Sequence, residues 1–175
     1  MKKIIAALSM VMLTISTTSM AQPKTVTLKF IETSDVHGCF FPYNFTTGKE
    51  MRGSMARVST YVKELRKEYG DNLILLDNGD ILQGQPISYF YNYVNTDEEN
   101  IAASVINYMK YDAVTIGNHD IETGHSVYDK WIKEVKCPVI AANIVCFDTL
   151  KQQAIPYTSS ESNNTRRCYT QPYTI

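Results

Sequence analysis

The chain has 175 residues, 44% of them apolar and 20% charged, with 17 basic and 18 acidic side chains. This is enough apolar material for one globular domain with its own core. The near-neutral balance excludes the basic footprint of a protein that binds polyanions such as nucleic acid. Residues 1–21 stand apart from the rest. Lys2 and Lys3 open the chain, Ile4 to Ile15 is a mostly apolar run, and Ser19-Met20-Ala21 offers small residues at a cleavage position. The pattern predicts a secretory signal peptide cut after Ala21, and hence an exported protein, periplasmic or secreted from a bacterium. The apolar run is too short for a bilayer, which needs about 20 residues. No later segment is long and apolar enough to span one, so no membrane partner is predicted. Cleavage leaves 15 basic against 18 acidic side chains, a net charge of −3. An anionic substrate would then be neutralised by bound cations rather than by basic side chains. Cys39, Cys137, Cys146 and Cys168 allow three disulfide pairings if oxidised, and no CxxC pair suggests a structural zinc site.

Residues 22–175 read as one domain. Thr25 to Thr33 alternates and is β-prone, with Val26, Leu28 and Phe30 on one face, and it predicts the first strand. An aromatic, Gly- and Asn-containing loop follows from Cys39 to Gly53. Met55, Val58, Val62, Leu65 and Tyr69 recur at helical spacing, with Ser54 as cap and Gly70 as stop. Leu73 to Leu76 is a short apolar run of the kind found in a strand buried on both faces. Gln83-Gly84-Gln85-Pro86 predicts a turn, and the tyrosine-rich stretch Ser88 to Val94 fits helix or loop. Thr96 or Asp97 is expected to cap a second helix that turns Ile101, Val105, Ile106 and Met109 inward. Asp112 to Ile116 predicts a third strand. Val127, Trp131, Ile132 and Val135 give a third helical stripe, and Pro138 to Ala142 a fourth strand. The pattern fades after Cys146, and Tyr173-Thr174-Ile175 reads as the start of another strand.

Strands alternating with helices predict an α/β fold with a largely parallel sheet. Ligands in such sheets sit beyond the carboxyl ends of strands. Three polar motifs fall at those ends: Asp35-Val36-His37, Gly79-Asp80 and Gly117-Asn118-His119-Asp120. Asp35 and His37 are two apart, so an extended backbone turns them to one side. A carboxylate at Asp80 can bridge two cations. Asn118 offers a neutral oxygen, and His119 is either a ligand or a proton donor beside the ions. Taken singly, each motif reads more simply as turn residues or a surface histidine. Together they supply oxygen and nitrogen donors suited to divalent ions.

These residues resemble the calcineurin-like metallophosphoesterases. The matching motifs are Asp35-x-His37, Gly79-Asp80-x-x-Gln83-Gly84 and Gly117-Asn118-His119-Asp120. Thr33-Ser34-Asp35-Val36-His37-Gly38 and Pro138-Val139-Ile140-Ala141-Ala142-Asn143 are similar, more narrowly, to the exported 5′-nucleotidase/2′,3′-cyclic-nucleotide phosphodiesterase group. The resemblance runs from about Val26 to Ile175. It implies the N-terminal half of an α/β/β/α sandwich and hydrolysis of phosphate esters, nucleotides foremost, by a dinuclear metal site with a bridging hydroxide. Asp35 and His37 would bind the first ion, Asp80 would bridge, and Asn118 would bind the second. Asn118 and His119 would contact the substrate, and His119 would assist the leaving oxygen. The metals would be Zn, Mn, Fe, Mg or Ca. The family supports its histidine with an aspartate three residues on; here that position is Glu122, with Asp120 as the alternative.

The family also completes its site with later histidines, including a Gly-His-x-His motif. This chain has only His37, His119 and His125, and His125 reads as a surface residue. The expectation is therefore a truncated domain over 22–175, without the second half-sheet and the nucleotide-binding C-terminal domain. Two other readings stay open: an inactive fragment with partial metal binding, and a non-catalytic exported binding protein suggested by the 12 tyrosines.

Overall fold

The computed structural model describes residues 25–148, 153–158 and 167–170, with side chains through Ala141. The predicted signal segment and the strand expected at Tyr173 lie outside the described residues. The chain runs through β1 (Lys29–Thr33), a small hairpin of β2 (Tyr43–Asn44) and β3 (Lys49–Glu50), and α1 (Met55–Tyr69). It continues with β4 (Leu73–Asp77), α2 (Pro86–Tyr89), a π-helical turn at Phe90–Val94, α3 (Ile101–Met109) and β5 (Ala113–Val114). Then come α4 (Asn118–Glu122), α5 (His125–Glu134), β6 (Ile140–Asp148), β7 (Gln153–Thr158) and β8 (Arg167–Thr170).

β1, β4 and β5 form a parallel sheet with β4 in the centre, Lys29 opposite Leu73 and Thr33 opposite Asp77. Val139 extends it by a parallel bridge to Val114. On one face Leu73, Leu75 and Val114 join Val62 of α1, Ile106 of α3 and Trp131 of α5 in a single core. The other face is open among the described residues, with Phe30 60% and Ile140 52% exposed. The apolar side of β1 expected from Val26, Leu28 and Phe30 therefore faces away from the helices. β1 itself begins only at Lys29, because pairing with β4 starts there.

α1 starts and stops where its sequence dictates. Ser54 Oγ accepts the Arg57 N–H at 3.3 Å, and Gly70, at φ 55°, closes the last turn onto the Arg66 carbonyl. The cap of α3 is Asn100 rather than Thr96 or Asp97. Its side-chain oxygen accepts the N–H groups of Ala102 and Ala103, and its amide donates to Asn92 Oδ1 at 2.9 Å. Asn92 in turn donates to the Leu82 carbonyl at 2.8 Å. Burial of Asn100 decided the choice, since a buried amide must fill its hydrogen bonds and a cap position offers two donors.

The chain after Pro138 departs from expectation. β6 runs to Asp148 and is flanked by antiparallel β7 and β8. Backbone pairing with neighbours, more than an apolar pattern, specifies these polar strands. Replacing Asn100 by Ala removes a helix cap and leaves Asn92 without its donor. It should lower unfolding free energy by about 2 kcal/mol with an unchanged urea m-value. A shift below about 0.5 kcal/mol would show that the cap carries no load.

Candidate metal centre

The carboxyl ends of β1, β4 and β5 converge because the backbone continues to bond past each strand. Asn78 N–H donates to the Thr33 carbonyl at 2.8 Å, Asp35 N–H to Gly79 at 3.1 Å, and His37 N–H to Asp80 at 2.8 Å. Thr115 N–H donates to Asp77 at 2.9 Å. Asp35, His37 and Asp80 each bring one ligand-capable atom into a group whose members lie within 4.8 Å of one another. Their φ angles are 54°, 49° and 58°. Among the described residues only Lys110 shares that left-handed conformation without being glycine. Such conformations persist where the surroundings impose them. Here the bonds between the ends of β1 and β4 impose it, so Asp35 and His37 converge from left-handed turns and not from the extended backbone their spacing suggests.

The His37 ring is oriented for coordination. Nδ1 lies 3.1 Å from the Gln83 carbonyl, which can only accept, so Nδ1 carries the proton. The free lone pair is then on Nε2, which faces Asp35 Oδ1 at 4.0 Å. A carbonyl that fixes the tautomer is the usual support for a metal-binding histidine. Ser34 Oγ donates to the other oxygen of Asp35.

Asp80 is buried, and its Oδ1 accepts the His119 N–H at 2.8 Å. Gly117 makes this approach possible. A Cβ at Gly117 would lie 2.0 Å from Asp80 Oδ1, and one at Gly79 would lie 2.4 Å from the Gly117 nitrogen. Only two glycines facing each other let the two strand ends touch. Asn118 follows as an exposed residue between Gly117 and His119, both of which contact Asp80.

Asp120 turns inward, away from the imidazole. Its two oxygens accept the N–H groups of Asp80, Ile81, Leu82 and Gly117 at 2.8–2.9 Å, and its exposure is nil. Burial pushes its carboxyl above the ordinary range against the pull of those four donors. Because every backbone partner donates, the ionised form is the one they favour. By its spacing alone Asp120 is an alternative partner for His119. The signal for this other task was its place three residues past Gly117, where an acid reaches back to free N–H groups at a helix start. Asp77 is a second buried acid at the end of β4. Burial raises it to about 6, opposed by hydrogen bonds from Thr33 and Gly79.

Glu122 is the acid that meets the imidazole, with Oε2 2.8 Å from His119 Nδ1. The rings of His119 and His37 stand edge to face with centroids 5.3 Å apart. The Gln83 amide, turned to satisfy its neighbours, donates to Glu122 Oε2 at 3.3 Å and to the His119 carbonyl at 3.1 Å. His125 is elsewhere, bonded to Tyr128 and Asp129 on α5. The hydrogen bond that His119 Nδ1 donates to Glu122 raises the His119 pKa above 6.5, with desolvation opposing. The protonated pair is thus favoured in the fold. Its contribution is complete below about pH 6.5 and fades as pH climbs through the higher folded value.

A family profile described as calcineurin-like phosphoesterase matches residues 28–168. A trifunctional nucleotide phosphoesterase, YfkN of Bacillus subtilis, is 33% identical over 126 residues, 68% of this chain and 8% of that protein. The crystal structure of its calcineurin-like phosphoesterase superposes with a TM-score of 0.62 at 26% identity, covering 75% of this chain and 46% of that one. A 2′,3′-cyclic-nucleotide 2′-phosphodiesterase/3′-nucleotidase of Haemophilus influenzae is 29% identical over 91% of this chain and 25% of its own length. A snake venom 5′-nucleotidase from Naja atra is 32% identical over 67% of this chain and 22% of its own length. The chain thus spans a quarter or less of these relatives.

In protein treated with EDTA, the His119 titration midpoint followed by NMR should lie above 6.5 and move down towards it in Glu122→Gln. An identical midpoint in the variant would mean that the pair does not form in solution.

Proposed function

Since this chain belongs to the calcineurin-like phosphoesterase family, we propose that Asp35, His37, Asp80 and Asn118 hold divalent metal and that the site hydrolyses phosphate esters, nucleotides foremost. The family's members include nucleotidases and cyclic-nucleotide phosphodiesterases, which are metal-dependent hydrolases. The observation that carries the reading is the convergence of Asp35, His37 and Asp80 within 4.8 Å, with His37 already in the tautomer a metal needs. Two carboxylates, an imidazole and an amide oxygen suit Zn, Mn, Fe, Mg or Ca. Two such ions, when bound, would supply a hydroxide nucleophile near neutral pH and neutralise charge on the phosphoryl oxygens.

The chain's own residues divide the remaining work. Asp35 and His37 would hold the first ion. Asp80, between the ends of β1 and β5 with one oxygen on the His119 N–H, would bridge the two ions. Asn118 adds a ligand without adding charge. His119 gives its Nε2 proton to the leaving alcohol oxygen, while Glu122 holds Nδ1 and stabilises the imidazolium. The raised pKa keeps this acid protonated further into the neutral range.

Residues 1–21 fit an export signal, which supports an activity outside the cytoplasm. Among the described residues, no helix is long and apolar enough to cross a membrane. The acidic balance, 15 basic against 18 acidic side chains after cleavage, favours a small-molecule phosphate ester over a nucleic acid polymer.

The 175-residue protein with Mn²⁺ should hydrolyse bis-p-nitrophenyl phosphate above a blank of metal alone. Asp80→Asn should abolish turnover and weaken Mn²⁺ binding at least tenfold by calorimetry. Equal metal affinity and turnover in that variant would overturn the bridge. His119→Ala should keep the Mn²⁺ affinity and lower kcat roughly 10²–10⁴-fold, the range of a general acid. A fall in metal affinity with unchanged kcat would instead make His119 a ligand.

A further inference from the structure

The sheet of β6, β7 and β8 sets two cysteines opposite one another. β6 runs antiparallel to β8, and the register places Val145 opposite Tyr169, Cys146 opposite Cys168 and Phe147 opposite Arg167. On its other edge Cys146 is opposite Ile155 of β7. Residues directly opposed in an antiparallel pair share a face. Their Cα atoms are about 5.5 Å apart where the pair exchanges hydrogen bonds and about 4.5 Å apart where it does not. Both separations fall within the roughly 4.4–6.8 Å that a disulfide spans. The backbone therefore admits a bridge here in either case, without moving a strand.

The other two cysteines do not compete for this pairing. Cys39 and Cys137 are free thiols. Cys39 lies in the loop after β1, where its N–H bonds the Val36 carbonyl at 3.0 Å. Cys137 precedes β6 and packs against the helical core. Burial pushes its thiol up to about 11. The thiolate is the species that attacks a disulfide, so a thiol held there exchanges slowly. Composition alone leaves three pairings open, and the register selects one pair.

The strands that carry the pair have few other ties. Among the described residues, β7 and β8 pair only with β6. β6 follows Val139, whose parallel bridge to Val114 joins this part of the chain to the sheet of the metal centre. β7 lies between Cys146 and Cys168 in the chain. A cross-link over such a loop removes conformations from the open chain, and its effect grows with loop length.

We propose that Cys146 and Cys168 form a disulfide that staples β8 to β6 and encloses β7 in a covalent loop. The oxidant is another disulfide, on a small molecule or a protein, of the kind that exported chains meet. One cysteine thiolate attacks a sulfur of that disulfide, giving a mixed disulfide and releasing one thiol of the oxidant. The second cysteine, as thiolate, attacks the chain sulfur of the mixed disulfide. The S–S bond of the chain forms, and the second thiol of the oxidant leaves. Two chain thiols are oxidised, one disulfide is reduced to two thiols, and the protons of the chain thiols end on them. The proposal is independent of the phosphoesterase reading. In the cell it depends on export, which supplies the oxidant.

The test treats the whole chain with glutathione disulfide and follows it by intact mass, peptide mapping and hydrogen exchange. In the wild-type chain the map should join Cys146 to Cys168. A Cys39→Ser/Cys137→Ser chain retains only the proposed pair, and its mass should fall by two hydrogens with no glutathione attached. Adding Cys146→Ser to that chain should stop the reaction at the mixed disulfide, with one glutathione on Cys168 that dithiothreitol removes. Amide exchange at Arg167–Thr170 should be roughly tenfold slower, or more, in the oxidised wild-type chain than in the reduced one. Two glutathiones on the chain with only Cys146 and Cys168 would overturn the pairing. So would a wild-type bridge through Cys39 or Cys137, or disulfide-linked dimers on a non-reducing gel. Equal exchange in the oxidised and reduced forms would overturn the staple.

Discussion

One buried carboxylate holds the site together. The segment from Asp80 to Leu82 is neither helix nor strand, so its N–H groups have no ladder to bond in, and backbone donors taken out of water must find acceptors. Asp120 supplies them, accepting three consecutive N–H groups from that segment and a fourth from Gly117. Each donor left bare in the interior would cost about 1–3 kcal/mol. The same four bonds fix the end of β4 against the end of β5. Asp80 is then held against the His119 N–H, and Gly117 against Asp80, at separations that admit no side chain at either glycine. The candidate ligands are positioned by a residue that is itself out of reach of any ion or substrate.

The supports are layered around that clamp. Gln83 meets His37 through its carbonyl and the His119–Glu122 pair through its side chain. Asn92 and Asn100 carry the load from Leu82 back to the start of α3. Behind the centre, Thr33 bonds both Asp77 and Tyr111, and burial drives the Tyr111 hydroxyl far above its ordinary pKa. The polar interior is therefore a continuous set of bonds from core to site, on the side of the sheet that the helices cover. The opposite face, with Phe30 and Ile140, takes no part in it.

Much of this was legible in the residues. Apolar spacing placed α1 and α5, and Ser54 and Gly70 marked the ends of α1, because helix periodicity and capping are local. The three strand ends were legible as well, since polar residues after a buried run are costly without a ligand. What was not legible depends on contacts distant in sequence. The cap at Asn100 follows from its bond to Asn92, which no local pattern announces. Asp120 looked like a rival to Glu122 because both lie within reach of His119 along the chain. Only the approach of the β4 loop turns Asp120 inward. The antiparallel strands β7 and β8 carry little apolar alternation, and their pairing partner lies in β6.

The central claim is that separate strand ends meet around one ion, and diffraction can locate that ion. Crystals soaked in Mn²⁺ and measured at the manganese absorption edge should show an anomalous peak within about 2.0–2.3 Å of carboxylate oxygens of Asp35 and Asp80 and of His37 Nε2. A peak bound elsewhere, or none at saturating Mn²⁺ with these side chains ordered, would contradict the account.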